Sequence, residues 1–127
     1  METGGEDAGA LFAVSFTVTK TPSRNEIDKM HWGKRARVRG AYEAEILCAI
    51  GSRGRRLAKA DGWRKVVITR YSTGRLDHDN LVGGCKQLID AMVNLGLLRG
   101  DTPDDVEIEY RQQRSKRGDQ RTTVEIT

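Results

Sequence analysis

Two carboxylates stand one residue apart in the run Arg75-Leu76-Asp77-His78-Asp79-Asn80, and a third acid, Asp101, follows downstream. In an extended segment, side chains at i and i+2 leave on the same side, so Asp77 and Asp79 are expected to aim at one point. Like charges held that close require a cation between them or a proton on one of them. The chain is basic overall, with a net charge of +4. In that setting the pair points to a hard divalent cation such as Mg2+ and to metal-assisted phosphate chemistry. The competing reading is structural: acids at a strand end also cap helices or stand in solvent. Lys86 supplies a cation for a phosphate oxygen, or else simply an i, i+4 partner for Asp90. His78, alternating to the other side of a strand, fits packing or DNA contact better than metal ligation. An EF-hand is excluded, because the third oxygen ligand and the glycine turn are missing.

The elements that must position these residues can be read from periodicity. Residues 11–18 alternate Phe12, Val14, Phe16 and Val18 against smaller side chains, as a half-buried strand does. Thr21-Pro22-Ser23-Arg24-Asn25 is turn-rich, and the stretch on to Lys34 reads as a structured loop. Met30-His31-Trp32 within it fits packing better than stacking on bases. Residues 35–50 place Val38, Ala41, Tyr42, Ile46, Ala49 and Ile50 on one helical face, with Gly51 as the stop. Residues 66–71 form an apolar strand suited to the centre of a sheet. A helix capped by Asn80 should carry Leu88, Ile89, Met92 and Val93 inward and end at Gly96, with Gly83-Gly84 bending its first turn. Residues 97–100 form the loop expected to bring Asp101 back to the pair. Residues 106–114 and 121–126 complete the set as two strands joined by a hairpin loop. The order β-α-β-α-β-β defines an α+β single domain: a small mixed β-sheet with two main helices on one face.

Composition sets the outer bounds. With 127 residues, 37% hydrophobic and 31% charged, the chain suits one soluble domain over residues 10–127, behind an acidic, disordered tail over residues 1–9. No apolar run is long enough to span a membrane, and Cys48 and Cys85 lack the spacing of a zinc or disulfide framework. A cytoplasmic protein with reduced thiols is expected. Basic residues crowd residues 24–70, the footprint of a phosphodiester partner or of a merely solvated surface. Arg24, Lys34, Arg35, Arg37 and Arg75 are the candidate DNA contacts.

The run Leu76-Asp77-His78-Asp79-Asn80-Leu81, followed by Lys86, Asp90-Ala91-Met92, Gly96-Leu97-Leu98 and Asp101-Thr102-Pro103-Asp104-Asp105-Val106, resembles the RusA-type Holliday junction resolvases. Pro22-Ser23-Arg24-Asn25 adds a looser match to that family's loop after its first strand. The resemblance implies a bacterial or phage-encoded homodimer that binds branched DNA, the four-way junction, and nicks two strands symmetrically with Mg2+ or with Mn2+ as its substitute. It matches Asp77, Asp79 and Asp101 to the acidic metal-binding triad and Lys86 to the essential lysine. Two departures stand out. The family lysine falls at Gly83 when no gap is introduced, so Lys86 is matched only across a three-residue insertion, Val82-Gly83-Gly84. Gly100 stands where the family often has the first of two adjacent acids, leaving Asp101 as the match and Asp104 or Asp105 as fallbacks. A catalytically weakened or inactive branched-DNA-binding protein is the alternative, and a general metal nuclease or RNA-processing protein a third.

Overall fold

The computed structural model describes residues 14–127. The acidic lead-in over residues 1–9, and Phe12, lie outside the described residues. In chain order the elements are β1 (Val14–Val18), α1 (Arg24–Asp28), α2 (Trp32–Leu57), β2 (Arg64–Ser72), α3 (His78–Gly84), α4 (Lys86–Asn94), β3 (Val106–Arg114) and β4 (Arg121–Ile126), with a 3-10 turn at Arg117–Asp119. The strands form one mixed sheet in the order β1-β4-β2-β3. β2 is central: it runs parallel to β3 and antiparallel to β4. The expected α+β class and the central placing of the second strand therefore hold.

The expected hairpin does not. β3 and β4 are consecutive in sequence but lie on opposite sides of β2, and β4 reaches across to pair with β1. A tight hairpin joins neighbours about 4.8 Å apart, whereas this connection must span two such steps. It does so over the end of β2, where the Ser115 N–H donates to the Ser72 carbonyl at 2.9 Å and the Ser72 hydroxyl donates to Gln120 Oε1 at 3.1 Å.

Alternation along the strands separates the two faces of the sheet. Phe16, Val18, Val66, Ile68, Val124 and Ile126 face the helices and are buried with Tyr42 and Ile46 of α2 and Leu88, Ala91 and Met92 of α4. The opposite face carries Lys65, which lies 3.8 Å from Glu107 and 3.9 Å from Glu109 in partly exposed pairs. Among the described residues no helix is long and apolar enough to cross a membrane. Cys48 is exposed, Cys85 is buried, and both are free.

Three helix boundaries differ from the periodic reading, each for a local reason. The stretch before Lys34 is helical because Ser23 and Glu26 form a capping box, Ser23 Oγ accepting from the Glu26 N–H and Glu26 Oε1 from the Ser23 N–H. His31 then caps α2 through Nδ1. At its other end, α2 passes through Gly51 as a kink with φ +73° and continues to Leu57. The helix after the carboxylate pair is broken at Cys85 into α3 and α4. It does end at Gly96, where the Leu97 N–H reaches the Met92 carbonyl and the Gly96 N–H that of Val93, a Schellman close. Replacing Ser23 with alanine should cost about 1 kcal/mol of unfolding free energy in a urea titration, the usual loss for an N-cap.

Candidate active site

Asp77 has extended backbone, φ −68° and ψ 167°, and is the N-cap of α3. Its Oδ1 accepts the Asn80 N–H at 2.9 Å and its Oδ2 the Asn80 side-chain amide at 3.0 Å. Asn80 is therefore not the cap. Its Oδ1 instead accepts the Asn25 N–H at 3.1 Å and ties α3 to α1. The i, i+2 argument also fails in its literal form, because the chain is helical from His78 onward and Asp79 lies in the first turn. The His78 ring meets the Tyr110 ring edge-on at 6.4 Å, a packing contact.

Helical geometry still brings the pair to one place. Asp77 and Asp79 line an open cavity of about 480 Å3 together with Arg24, Asn25, Asp28, His78 and Asn80. Asp28, which the sequence reading missed, adds a third carboxylate from the end of α1, within 3.7 Å of Arg24 Nε. The hydrogen bonds from Asn80, backbone first and side chain second, hold the Asp77 carboxyl below the ordinary aspartate value. With the folded value the lower of the two, this cap contributes fully above the unfolded value of about 3.9 and is lost as pH falls through the folded one. An acid titration of stability should show that loss in the wild type, and Asp77→Asn should flatten it.

The donor chemistry suits a hard cation, since the charged ligands offered are carboxylate oxygens. Three formal negative charges and one guanidinium line the cavity, leaving the two charges that one divalent cation would balance. A closed carboxylate cage is not formed. Among the described residues no group of three or more His, Cys, Asp or Glu side chains is gathered as a metal-binding cluster. A cation here would take Asp77 and Asp79 and fill its remaining positions with water and phosphate, as Mg2+ commonly does.

Asp101 and Lys86 are together but elsewhere. Both line a second cavity of about 250 Å3 with Val82, Gly83, Ile89, Asp90, Ile108 and Tyr110. The loop after α4 thus brings Asp101 to Lys86 rather than to Asp77 and Asp79. Lys86 Nζ lies 3.4 Å from Asp90 Oδ1, the plain i, i+4 pair. Burial pushes the Tyr110 phenol up to about 12, so it stays neutral in the wall. Gly100 has its own explanation: a Cβ there would lie 2.3 Å from Asp105 Oδ2. Asp105 is engaged by Thr102 Oγ1 and Arg99, so it braces the turn, while Asp104 is exposed.

No protein-family model matches this chain, and no curated protein sequence matches it either. The site is therefore defined by its own geometry.

The candidate DNA contacts fall into different classes. Arg35 is committed to structure, its guanidinium donating to the carbonyls of Ile27, Met30 and Asp28 and closing the end of α1. Lys34 and Arg37 are exposed near the start of α2, as is Trp32, which at 75% exposure is no part of the core of this chain. Trp32 begins a helix whose core face starts later, at Val38, which is why it escapes burial. Arg75 lines a separate cavity of about 340 Å3 with Asp77, His78, Tyr110 and Gln112. Arg24 alone of the five reaches the carboxylate cavity.

The double glycine stands where the helix breaks, and it is also a contact. A Cβ on Gly84 would lie 1.8 Å from the Pro22 carbonyl oxygen, and one on Gly83 would lie 2.6 Å from the Arg24 side chain. The Pro22 loop is held from the sheet side as well. The Thr21 N–H donates to Thr122 Oγ1 at 2.9 Å, and Nε of buried Arg70 donates to the Thr21 carbonyl at 2.8 Å. The Ser23-Arg24-Asn25-Glu26 spacing was the available signal for this loop, since it spells a capping box.

Proposed function

We propose that the protein is a divalent-metal-dependent endodeoxyribonuclease acting on branched DNA, with the four-way junction as substrate. The observation that carries this reading is the open cavity in which Asp77 and Asp79 face an arginine and two side-chain amides. A bound Mg2+ or Mn2+ would be held by Asp77 and Asp79 and would supply an acidified water and charge neutralisation at phosphorus. The protein's own part is positional. Asn80 fixes both Asp77 oxygens by its two hydrogen bonds, and the α3 backbone presents Asp79 from the first turn of the helix. Exposed Lys34, Arg37 and Arg75 supply the electrostatic attraction for a phosphate backbone. Exposed Trp32 suits stacking on an unpaired base at a junction. Trp32→Ala is expected to leave folding intact and weaken junction binding about tenfold in a gel-shift or anisotropy titration.

Symmetric nicking needs two sites, so a C2 homodimer follows from the reading. Sedimentation of the protein alone and bound to a junction tests it. The catalytic test is cleavage of synthetic junction, flap, linear duplex and RNA with Mg2+ or Mn2+. Junction-selective nicking abolished by EDTA supports the proposal; intact junctions in every metal defeat it. A second reading, a binding protein without cleavage, is favoured by one observation: Asp101 and Lys86 lie outside the carboxylate cavity. It predicts salt-sensitive junction binding with no product.

A further inference from the structure

We propose that Arg24 is the residue that grips the substrate phosphate in the Asp77–Asp79 cavity, seated there by the bare backbone at Gly83. The inference rests on the phosphodiester reading of that cavity and assigns a role that the helix itself does not supply. With one divalent cation in place the cavity is only neutral, so a polyanion gains from a fixed positive group beside it. Among the residues lining the cavity, Arg24 is the one lysine or arginine; Lys86 lines the cavity of Asp101 and is paired with Asp90, and Arg75 lines the adjoining cavity that shares Asp77 and His78.

Gly83 explains how the arginine reaches the site. Asp79 and Gly83 are four residues apart on α3 and so share one face of the helix. A Cβ at position 83 would meet Cβ, Cγ and Cδ of Arg24, all at 2.6 Å. The arginine stem therefore occupies the space that a side chain at position 83 would take. The root of that stem is fixed on three sides. Pro22 is pressed against Gly84, the Asn25 N–H is bonded to Asn80, and Ser23 is locked in its capping box.

The guanidinium remains free to change partner. Its ion pair is with Asp28, at 3.7 Å, and both side chains are about 60% exposed. Such a pair is weak, and a phosphate offers the planar guanidinium a bidentate, charge-assisted alternative. A lysine would give only a point charge in its place.

The experiment compares wild type, Arg24→Gln, Arg24→Lys, Gly83→Ala, Lys86→Gln and the double variant Arg24→Gly/Gly83→Lys. Three readouts are taken: thermal melts, junction affinity in EDTA and in Ca2+, and single-turnover cleavage in Mg2+. Arg24→Gln should melt like wild type, bind more weakly, and cleave about 100-fold more slowly. Arg24→Lys should recover part of the binding and less of the rate. Gly83→Ala should lower the rate by displacing the stem, and the double variant should recover rate over Arg24→Gln by returning a cation to the vacated space. Lys86→Gln should lose less than Arg24→Gln in every readout. The inference is overturned if Arg24→Gln binds and cleaves as wild type does, or if Lys86→Gln takes the larger loss. If wild type binds junctions without cutting them and Arg24→Gln loses that binding, the phosphate role of Arg24 stands and the nuclease reading falls. If wild type neither binds nor cuts, both fall.

Discussion

Alanine at Gly84 is expected to cost about 3 kcal/mol or more of unfolding free energy, the largest stability loss of any single methyl addition to the site. The added carbon would sit 1.8 Å from the Pro22 carbonyl oxygen, and the obstacle is backbone rather than a flexible tip. The backbone cannot easily retreat. Thr21 is bonded to Thr122, and the next residues open a capped helix. Relief must come from separating α3 from the loop, which would also strain the Asn25–Asn80 bond and open the carboxylate cavity. Urea denaturation of the variant measures the loss, and a midpoint within error of wild type would show that the contact is not tight. Gly83→Ala, whose added carbon would meet Arg24 carbons at 2.6 Å rather than a backbone oxygen at 1.8 Å, should cost less in the same titration.

Asp79→Asn is expected to lower metal-dependent junction cleavage at least about 100-fold while leaving the melting temperature unchanged. Asp79 is exposed in the first turn of α3 and does not cap it, so the substitution removes charge from the cavity without releasing the helix. Asp77→Ala should differ in kind. It removes a candidate ligand and also the N-cap, so activity and thermal stability should fall together. Measured side by side, the two variants separate a chemical carboxylate from one that is also structural. Full activity in Asp79→Asn would defeat the nuclease proposal.

The sheet and the carboxylate pair were legible because their signals are local. Alternation marks the core strands, and Asp77 and Asp79 are two residues apart, so no arrangement of the chain could part them far. What escaped was set by long-range approach. The helix-poor Gly83-Gly84 reads as a defect until the Pro22 loop is laid against it. Asp101 looks like a third ligand until the Schellman close at Gly96 sends the chain toward Lys86 instead. Asp28 lies in a stretch that reads as a loop, and only the fold carries it to the Asp77–Asp79 cavity. The crossing of β4 over β2 is invisible to periodicity, since a paired neighbour and a strand two places away carry the same alternation. Short range also misled: a D-x-D run was read as extended although Asp77 and Asn80 have the spacing of a helix cap.

The placing of β4 has a consequence for when the cavity comes into being. β1 finds its hydrogen-bonded partner in β4, and the pairing of Val14 with Ile126 closes nearly the whole described chain into one loop. Such closures are entropically costly and slow. Thr122 of β4 is also the residue that anchors the loop carrying Arg24. A half-folded molecule can therefore own all its carboxylates and still lack the wall that faces them. The seating of Arg24 is therefore tied to the longest-range pairing in the described chain, at the far end of the sequence from the carboxylates it faces.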